Sequence, residues 1–440
     1  MKTVGIDIGT TTISALVLET EGNVSVETET IPNGTFLPAE RPWERRQDAL
    51  AVVDKAKNLL DELLDTNPDI AAIGLTGQMH GILYLDRSGR CISPLYTWQD
   101  GGGDQPYGGE PSLTAWIRRT CGVEAATGYG LVTHVGHCKT GATPAGAETI
   151  CTIADYFGMV LTKRKSPLLH ISNAASLGFF DAQRNVFQRE ALLAAGVDER
   201  ILPEFTSNFS ILGTYRGRPV TAAIGDNQAS FLGSVGLEED ALLVNMGTGG
   251  QISALSTRYF TAPGIEARPL APGHWLLVGS SLCGGRAYAI LERFFRDYVR
   301  ASTGIDAPQY EIMEQLARAA AGREDPMRVS TQFHGSRVDP GLRGSIRNLS
   351  EDNFTPEGLI RGVLEGMADE LYERYLQIQA GIGIRASRLV GSGNGLRKNP
   401  VLRRIFKEKF QARLSLAPVE EEAACGAAFV SAASSHSASK

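Results

Sequence analysis

A carboxylate stands at the point where an apolar segment of the chain ends. Residues 222–229 read AAIGDNQA, so Asp226 follows a short apolar run and a glycine. Proteins of the α/β class bind ligands at the carboxyl ends of their strands, which makes Asp226 a candidate ligand-binding residue. The same residue would also suit the cap of a following helix. Asn227 and Gln228 add amide groups that bind hydroxyls and that a cap does not require, which favours a site.

Three glycine-rich turns are candidates for binding phosphate. Residues 9–12 read GTTT, residues 247–250 read GTGG and residues 391–395 read GSGNG. Glycine lets the backbone approach an anion closely, consecutive N–H groups form a positive concavity, and threonine hydroxyls add donors. A tight hairpin is the favoured explanation for any one of these turns alone, but three such turns, two of them at equivalent places in two halves of the chain, favour phosphate binding. The chain has no Walker A motif, and GSGNG lacks the full dinucleotide fingerprint.

Two further turns carry groups that suit a polyhydroxylated ligand. Residues 76–81 read TGQMHG, and residues 97–101 read TWQDG, which adds an aromatic surface. A metal site at His134, His137 and Cys138 is the competing interpretation for the histidine-rich segment. These three residues lack a fourth ligand at a suitable spacing, so a metal site there is not favoured.

The elements that must position these turns alternate between strand and helix, which predicts an α/β fold. Strands are expected at 4–8, 13–18, 70–75, 82–85 and 388–390, and helices at 47–65 and 359–379, from Pro400 onward, and at 423–433. The strand, glycine-threonine turn and second strand ending in ISAL near the amino terminus recur at 241–255. This repeat predicts two like domains, assigned to 1–235 and 236–440, that face one another across a cleft.

Composition excludes several classes of protein. The chain has 440 residues, 42% of them hydrophobic and 21% charged, with a net charge of −6. The negative charge argues against a nucleic-acid or anionic-membrane surface, and no apolar run approaches the length of a membrane helix. Six scattered cysteines are typical of reduced thiols, which predicts a cytoplasmic protein. The length exceeds what one compact core usually holds, in agreement with two domains.

With these motifs in this order, the chain resembles the FGGY family of carbohydrate kinases, and most closely its sedoheptulokinase-like members. The resemblance rests on IDIGTT at 6–11, GQMHG at 77–81, TWQDG at 97–101, SNAAS at 172–176, GDNQA at 225–229, GSGNG at 391–395 and NPVL at 399–402. GQMHG also suits xylulokinase-like proteins, whereas TWQDG and SNAAS favour a sedoheptulokinase.

The resemblance implies two ribonuclease-H-like (actin-like ATPase) domains, ATP with Mg²⁺, and phosphorylation of a ketose, with sedoheptulose as the first choice. It implies Asp226 as the catalytic base and a metal position shared by Asp7 and Asp226. The implied sugar-binding residues are Gln78, Met79, His80, Trp98, Asp100 and Asn227. The implied nucleotide-binding residues are Gly9, Thr10, Thr11, Thr12, Gly247, Thr248, Gly249, Gly391, Ser392, Gly393, Asn394 and Asn399.

Two positions depart from the family pattern. Members commonly have Lys or Arg seven residues after the first-motif aspartate, where this chain has Ser14, and Gly102 replaces an arginine that follows TWQDG in sedoheptulokinase-like relatives. A missing cation weakens the electrostatic case for phosphoryl transfer. A xylulokinase-like or other ketose or polyol kinase, and a non-catalytic sugar- or nucleotide-responsive protein, therefore stay open. The expected partners are the sugar and ATP, and a homodimer is one option for assembly.

Overall fold

The structure is a computed structural model that describes residues 1–21, 24–319, 325–336, 339 and 341–438. Its strands, in chain order, are β1 (Lys2–Ile8), β2 (Thr12–Glu19), β3 (Val24–Pro32), β4 (Arg46–Gln47), β5 (Ile70–Gly77), β6 (Leu83–Leu85), β7 (Leu95–Tyr96), β8 (Thr149–Cys151), β9 (Leu168–His170), β10 (Phe180–Asp181), β11 (Val186–Phe187), β12 (Glu204–Thr206), β13 (Ile211–Tyr215), β14 (Arg218–Thr221), β15 (Ile224–Gly225), β16 (Ala241–Met246), β17 (Gly250–Ser256), β18 (Ile265–Ala271), β19 (His274–Ser281), β20 (Arg328–Ser330), β21 (Ser345–Arg347), β22 (Arg388–Ser392) and β23 (Arg413–Leu416).

The helices, in chain order, are α1 (Ala49–Thr66), α2 (Leu113–Cys121), α3 (Gly130–Thr140), α4 (Ile153–Thr162), α5 (Ile171–Ser176), α6 (Arg189–Ala194), α7 (Asp226–Val235), α8 (Gly285–Thr303), α9 (Tyr310–Ala319), α10 (Pro356–Ile382), α11 (Asn394–Lys398), α12 (Pro400–Phe410) and α13 (Glu422–Ala438). Short 3₁₀ helices cover Gly102–Asp104 and Glu199–Ile201. Within the described ranges, none of the helices has the length and apolar character needed to cross a membrane.

The chain forms two compact units. The first contains Met1–Gly236, Arg268–Gly273 and Glu421–Lys440, and the second contains Leu237–Ala267 and His274–Glu420. Each has its own buried apolar core.

The central sheet of the first unit has the strand order β13-β14-β5-β1-β2-β3, with β15 also paired to β5. β1, β2 and β3 form an antiparallel meander, whereas β5 runs parallel to β1 and β14 runs parallel to β5. The strands β1 and β2 are buried along most of their length, as their nearly continuous apolar sequences require.

The strands of the second unit repeat this arrangement in the order β19-β17-β16-β22-β23. Here β16, β17 and β19 are antiparallel, and β22 and β23 continue in parallel from β16. The two glycine-threonine hairpins, β1–β2 and β16–β17, therefore have the same place in their sheets. The predicted α/β class with two like domains is confirmed.

The carboxyl-terminal helix is where the domain prediction and the structure differ. The predicted range 236–440 assigned α13 to the second domain, whereas in the structure α13 packs on β1, β5 and α7 of the first unit. The close approach depends on glycine, because a Cβ at Gly5 would lie 1.8 Å from the Ala424 carbonyl oxygen and one at Gly74 would lie 1.8 Å from that of Ala427. The alanine-rich sequence of α13 predicts a helix packed tightly on a sheet, but it does not say which sheet.

Candidate active site

The backbone that leads into Asp226 is held from three sides. β15 pairs in parallel with the end of β5, and α7 begins at Asp226 itself. Thr76 Oγ1 donates to the Ile224 carbonyl oxygen at 2.8 Å, and Asn173 Nδ2 donates to the preceding carbonyl at 3.0 Å. Ser172 Oγ accepts a hydrogen bond from the Gly225 N–H at 2.8 Å. The SNAAS motif thus lies behind the aspartate and positions it.

Asp226 lies in an environment that suits a general base. Burial raises its pKa to about 6, while backbone hydrogen bonds from Asn227 and Met79 and the charge of Arg268 act in the opposite direction. The carboxylate therefore stays mainly ionised at neutral pH and can still accept a proton. Beside it, Asn227 Oδ1 is buried and has no hydrogen-bond partner among the described residues, which leaves an acceptor for a ligand hydroxyl.

A second carboxylate of the first unit, Asp7, faces the same region. Burial, together with the smaller effect of the neighbouring charges of Asp226 and Glu421, raises the pKa of Asp7 to about 8. Asp7 Oδ1 is buried without a hydrogen-bond partner among the described residues. A divalent cation would relieve both conditions, so Asp7 and Asp226 fit the implied Mg²⁺. Mg²⁺ commonly uses one or two carboxylates together with phosphate oxygens.

The residue at the departure from the family pattern lies directly next to Asp7. Ser14 pairs with Asp7 across β1 and β2 and is only 2% exposed. Thr30 Oγ1 lies within hydrogen-bond distance of both Ser14 Oγ (3.0 Å) and Glu421 Oε1 (3.1 Å). The position at which a cation is expected therefore carries a neutral hydroxyl next to Asp7, and Thr30 lies between this hydroxyl and Glu421.

The turn after β5 holds His80 in a conformation that is uncommon outside glycine. His80 has a φ of 72°, and its ring stacks on Tyr129 with 4.5 Å between ring centroids and 2° between ring planes. Its Nδ1 lies 2.7 Å from the Ser176 carbonyl oxygen. Backbone strain of this kind persists where the surroundings enforce it and is frequent at binding sites. Trp98, which is 46% exposed, offers the aromatic surface predicted from TWQDG.

Two residues that are predicted to bind the sugar, Asp100 and Gln78, form contacts within the protein itself. Asp100 is 6% exposed, and its two oxygens accept hydrogen bonds from the backbone N–H groups of Arg45 at 3.1 Å and Gly102 at 3.0 Å. Burial raises the pKa of Asp100. Gln78 is 3% exposed and faces other side chains of the site. In this structure both residues shape the turns that carry Trp98 and His80.

The first glycine-threonine turn has its carbonyl oxygens occupied by protein donors. Asn33 donates to the Gly9 carbonyl through Nδ2 at 2.8 Å and to the Thr11 carbonyl through its backbone N–H at 2.9 Å. Gln47 Nε2 donates to the Thr10 carbonyl at 2.9 Å. Because these oxygens are neutralised by donors, they oppose an incoming phosphate less strongly. Thr12, the fourth residue of the turn, begins β2.

The carbonyl oxygens of the second glycine-threonine turn also accept hydrogen bonds from protein donors, here within the second unit. The backbone N–H groups of Gly285 and Arg286, at the start of α8, donate to the carbonyl oxygens of Gly247 at 2.9 Å and Thr248 at 3.1 Å. A cavity of about 930 Å³ adjoins this turn. The predicted nucleotide-binding residues that line the cavity are Gly247, Thr248, Gly393, Asn394 and Asn399.

Three of the predicted nucleotide-binding residues in the second unit, Gly249, Gly391 and Ser392, are not among the lining residues of this cavity. Ser392 Oγ accepts a hydrogen bond from Asn245 Nδ2 at 2.9 Å, which joins β22 to β16. A Cβ at Gly249 would lie 2.8 Å from the Ser281 carbonyl oxygen. The Gly391 carbonyl accepts from Ala417 N–H at 2.8 Å. These contacts hold the strands and turns next to the cavity, and the nucleotide-binding role of the three residues stays a prediction.

The cavity also contains residues that sequence reasoning missed. Tyr288 of α8 and Tyr310 of α9 have ring centroids 5.8 Å apart, and Tyr288 Oη is buried without a partner among the described residues. Arg286 and Lys398 add positive charge to the lining. No motif marks these residues; only the aromatic pair at Tyr288 and the basic end of α11 could have drawn attention to them.

The histidine-rich segment forms a buried polar network. Tyr84 Oη lies 2.8 Å from His134 Nδ1 and 2.9 Å from His137 Nδ1, and burial lowers the pKa of both histidines to about 4. Cys138 Sγ lies 3.5 Å from His134 Nε2. Throughout the part of the chain that the structure describes, there is no cluster of three or more His, Cys, Asp or Glu residues suited to a metal ion.

Comparison with known proteins decides the family. The model of the N-terminal domain of the FGGY family of carbohydrate kinases matches residues 2–107, and the model of the C-terminal domain matches residues 242–435. Together these matches span well over half of the chain. The chain belongs to the FGGY family of carbohydrate kinases. The predicted family and the predicted enzyme class, a carbohydrate kinase, are confirmed.

Similar FGGY proteins are named for several sugars. Sedoheptulokinase from Mus musculus is 26% identical, over 97% of this chain and 96% of its own length. Xylulose kinase from Lactococcus lactis is 22% identical, over 97% of this chain and 87% of its own length. The crystal structure of a xyloylose kinase from Brucella ovis has a TM-score of 0.83 at 21% identity and covers 99% of this chain and 91% of that one. This structural likeness shows the shared fold.

Proposed function

We propose that this FGGY kinase transfers the γ-phosphoryl group of ATP to a terminal hydroxyl of a ketose, with Asp226 as the general base. The observation that carries the proposal is the partly buried Asp226 carboxylate at the end of β15, beside the unpartnered Oδ1 of Asn227. Asp226 accepts the hydroxyl proton as the sugar oxygen forms a bond to the γ-phosphorus. The bond from that phosphorus to the β-phosphate oxygen breaks, and ADP leaves.

The protein contributes to this reaction mainly by positioning and by electrostatics. The turns at Gly9 and Gly247, whose carbonyl oxygens are engaged elsewhere, offer backbone donors to the phosphates. Arg286 and Lys398 provide positive charge in the cavity beside the Gly247 turn. Asp7 and Asp226 are the residues that would hold Mg²⁺, which supplies charge neutralisation on the phosphates when it is bound.

Sedoheptulose is the substrate that the comparisons favour. The sedoheptulokinases are the relatives with 26% identity over nearly the whole chain, compared with 22–24% for the xylulose kinases. His80, Trp98 and Asn227 are proposed to contact the sugar. The neutral residue at Gly102 is a reason to include shorter ketoses as alternatives, because an arginine is expected there in a sedoheptulokinase.

The test is ADP release by the purified protein with ATP and Mg²⁺, measured across ketoses of five to seven carbons together with gluconate and glycerol. We expect sugar-dependent release, with the highest kcat/KM for sedoheptulose. A higher kcat/KM for xylulose or gluconate would support the proposed kinase activity but assign it a different substrate. ATP turnover without any sugar dependence would contradict the proposal, and an absence of turnover would favour the non-catalytic alternative.

A further inference from the structure

One buried glutamine of the first unit connects the predicted phosphate turn to the predicted sugar turns. Gln47 is fully buried, at the end of β4, which pairs with β7. The next residue, Asp48, caps α1 by accepting hydrogen bonds from the N–H groups of Leu50 at 3.0 Å and Ala51 at 3.1 Å. Because the backbone is held on both sides, the Gln47 side chain extends in a defined direction.

Gln47 closes a ring of hydrogen bonds with Gln78 and Thr10. Gln47 Nε2 donates to the Thr10 carbonyl oxygen at 2.9 Å, and Gln78 Nε2 donates to Gln47 Oε1 at 2.9 Å. Thr10 Oγ1 in turn donates to Gln78 Oε1 at 3.3 Å. Trp98 Nε1 donates to Thr10 Oγ1 at 2.9 Å. Because an indole N–H can only donate, Thr10 Oγ1 accepts from Trp98 and its own proton is directed towards Gln78. Each donor in the ring therefore faces an acceptor.

Each member of the ring belongs to a different part of the proposed site. Thr10 lies in the first glycine-threonine turn, Gln78 begins the turn that carries Met79 and His80, and Trp98 belongs to TWQDG. The backbone N–H of Gln78 also donates to the Ile8 carbonyl at 2.9 Å, which ties this turn to the end of β1. The ring therefore fixes the distance between the phosphate turn and the residues proposed to face the sugar.

We propose that Gln47 is a positioning residue that keeps the phosphate turn in register with the sugar-binding turns. The inference rests on the proposed function, and it adds a residue that touches neither substrate. The amide is suited to this role because it provides a donor and an acceptor on one rigid plane. A buried ring of this kind is stable when all its members are paired, and it loses its geometry when one is removed.

Gln47→Glu opens the ring at one bond. The carboxylate has the shape of the amide, and one of its oxygens still accepts from Gln78. The other oxygen faces the Thr10 carbonyl, which then lacks its donor and is repelled by the negative charge. We expect kcat to fall about 10-fold to 100-fold, because small displacements of reacting groups carry losses of that order. The KM values for sugar and ATP should each change less than about 3-fold, because the contacts to both ligands persist.

The matched control is Gln379→Glu in the second unit. Gln379 is a partly buried glutamine of α10 whose Nε2 donates to Tyr375 Oη at 3.1 Å, so the same change removes one donor outside the proposed site. We expect wild-type kcat from the control. Thermal unfolding identifies any variant that fails to fold, and Gln47→Met, which removes the polar groups without adding charge, replaces Gln47→Glu in that case.

A double-mutant cycle separates positioning from a loss of general stability. If Gln47 acts through Gln78, then kcat of Gln47→Met with Gln78→Met should be close to that of the more damaged single variant. Multiplied losses of kcat in the double variant would overturn the proposal. Wild-type kcat in folded Gln47→Glu would also overturn it.

A readout without turnover keeps this inference distinct from the proposed function. The indole N–H signal of Trp98, assigned with Trp98→Phe, should shift and exchange faster in Gln47→Glu, whereas that of Trp275 in the second unit should not change. If the wild type shows no sugar-dependent turnover, the proposed function fails, and the Trp98 signal alone then tests whether Gln47 holds the ring together. A shifted signal supports the ring, and an unchanged signal overturns the role of Gln47.

Discussion

Replacing Gly225 by alanine adds one methyl group immediately before the proposed base. The backbone there has φ −64° and ψ 143°, which alanine adopts without strain. The new Cβ would lie 2.6 Å from Cε and Sδ of Met79 and 2.8 Å from Oε1 of Gln228, whereas ordinary contacts begin at 3.4 Å. The buried side chains of Met79 and Gln228, or the Gly225 backbone that leads into Asp226, must therefore move by up to about 0.8 Å. Overpacking of this kind costs about 1–3 kcal/mol, so the protein should still fold.

The larger effect of Gly225→Ala should be on catalysis. A displacement of that size at Asp226 is expected to lower kcat by about 10-fold to 100-fold in the ADP-release assay. Gly136→Ala in α3 is the control, because its Cβ would lie 3.2 Å from the flexible end of Leu113 and alanine favours a helix. Wild-type kcat in Gly225→Ala, with a lowered melting temperature, would refute the argument that this packing positions the base.

Three further outcomes follow from the site. The base form of Asp226 is lost as pH falls through its pKa of about 6, so kcat/KM should drop about tenfold from pH 7 to pH 5, where an ordinary aspartate would lose little; a flat profile would contradict its role. His80→Ala and Trp98→Ala should each raise the KM for the sugar far more than the KM for ATP, measured by varying each substrate in turn. A larger rise in the KM for ATP would contradict the assignment of these two residues to the sugar site. Ser14→Lys places an ammonium opposite Asp7 and should leave kcat unchanged or raise it in the same assay, whereas a loss in the folded variant would show that the missing cation is not needed there.

The two hairpins show how far the sequence alone could predict this fold. The repeated glycine-threonine turn was sufficient to predict two like domains, since a hairpin is local and its residues are adjacent in the chain. The placement of α13 was not predictable, because a small-residue helix face matches any sheet that offers glycines. The glycines it meets, Gly5 and Gly74, are more than 300 residues away.

The sequence points to only part of the candidate site. Asp226 is a candidate from sequence because its strand, glycine and amides are contiguous, and its role stays a prediction. Tyr288 and Tyr310 could not, since their proximity depends on the packing of α8 and α9. Gln47 has no motif either, and its importance emerges only from the two side-chain hydrogen bonds, to Thr10 and Gln78, that the fold assembles from distant segments. For Asp100, the polar residue was found, but its carboxylate is engaged by backbone N–H groups that the sequence does not reveal.

Turnover of Asp226→Asn with and without a ketose is the most direct test of the account. The amide retains the shape of the carboxylate but cannot accept the hydroxyl proton as a base. We predict that the variant folds with a melting temperature near that of the wild type and that its sugar-dependent ADP release falls about 10²–10⁴-fold. Wild-type turnover in a folded Asp226→Asn protein would contradict the assignment of the base.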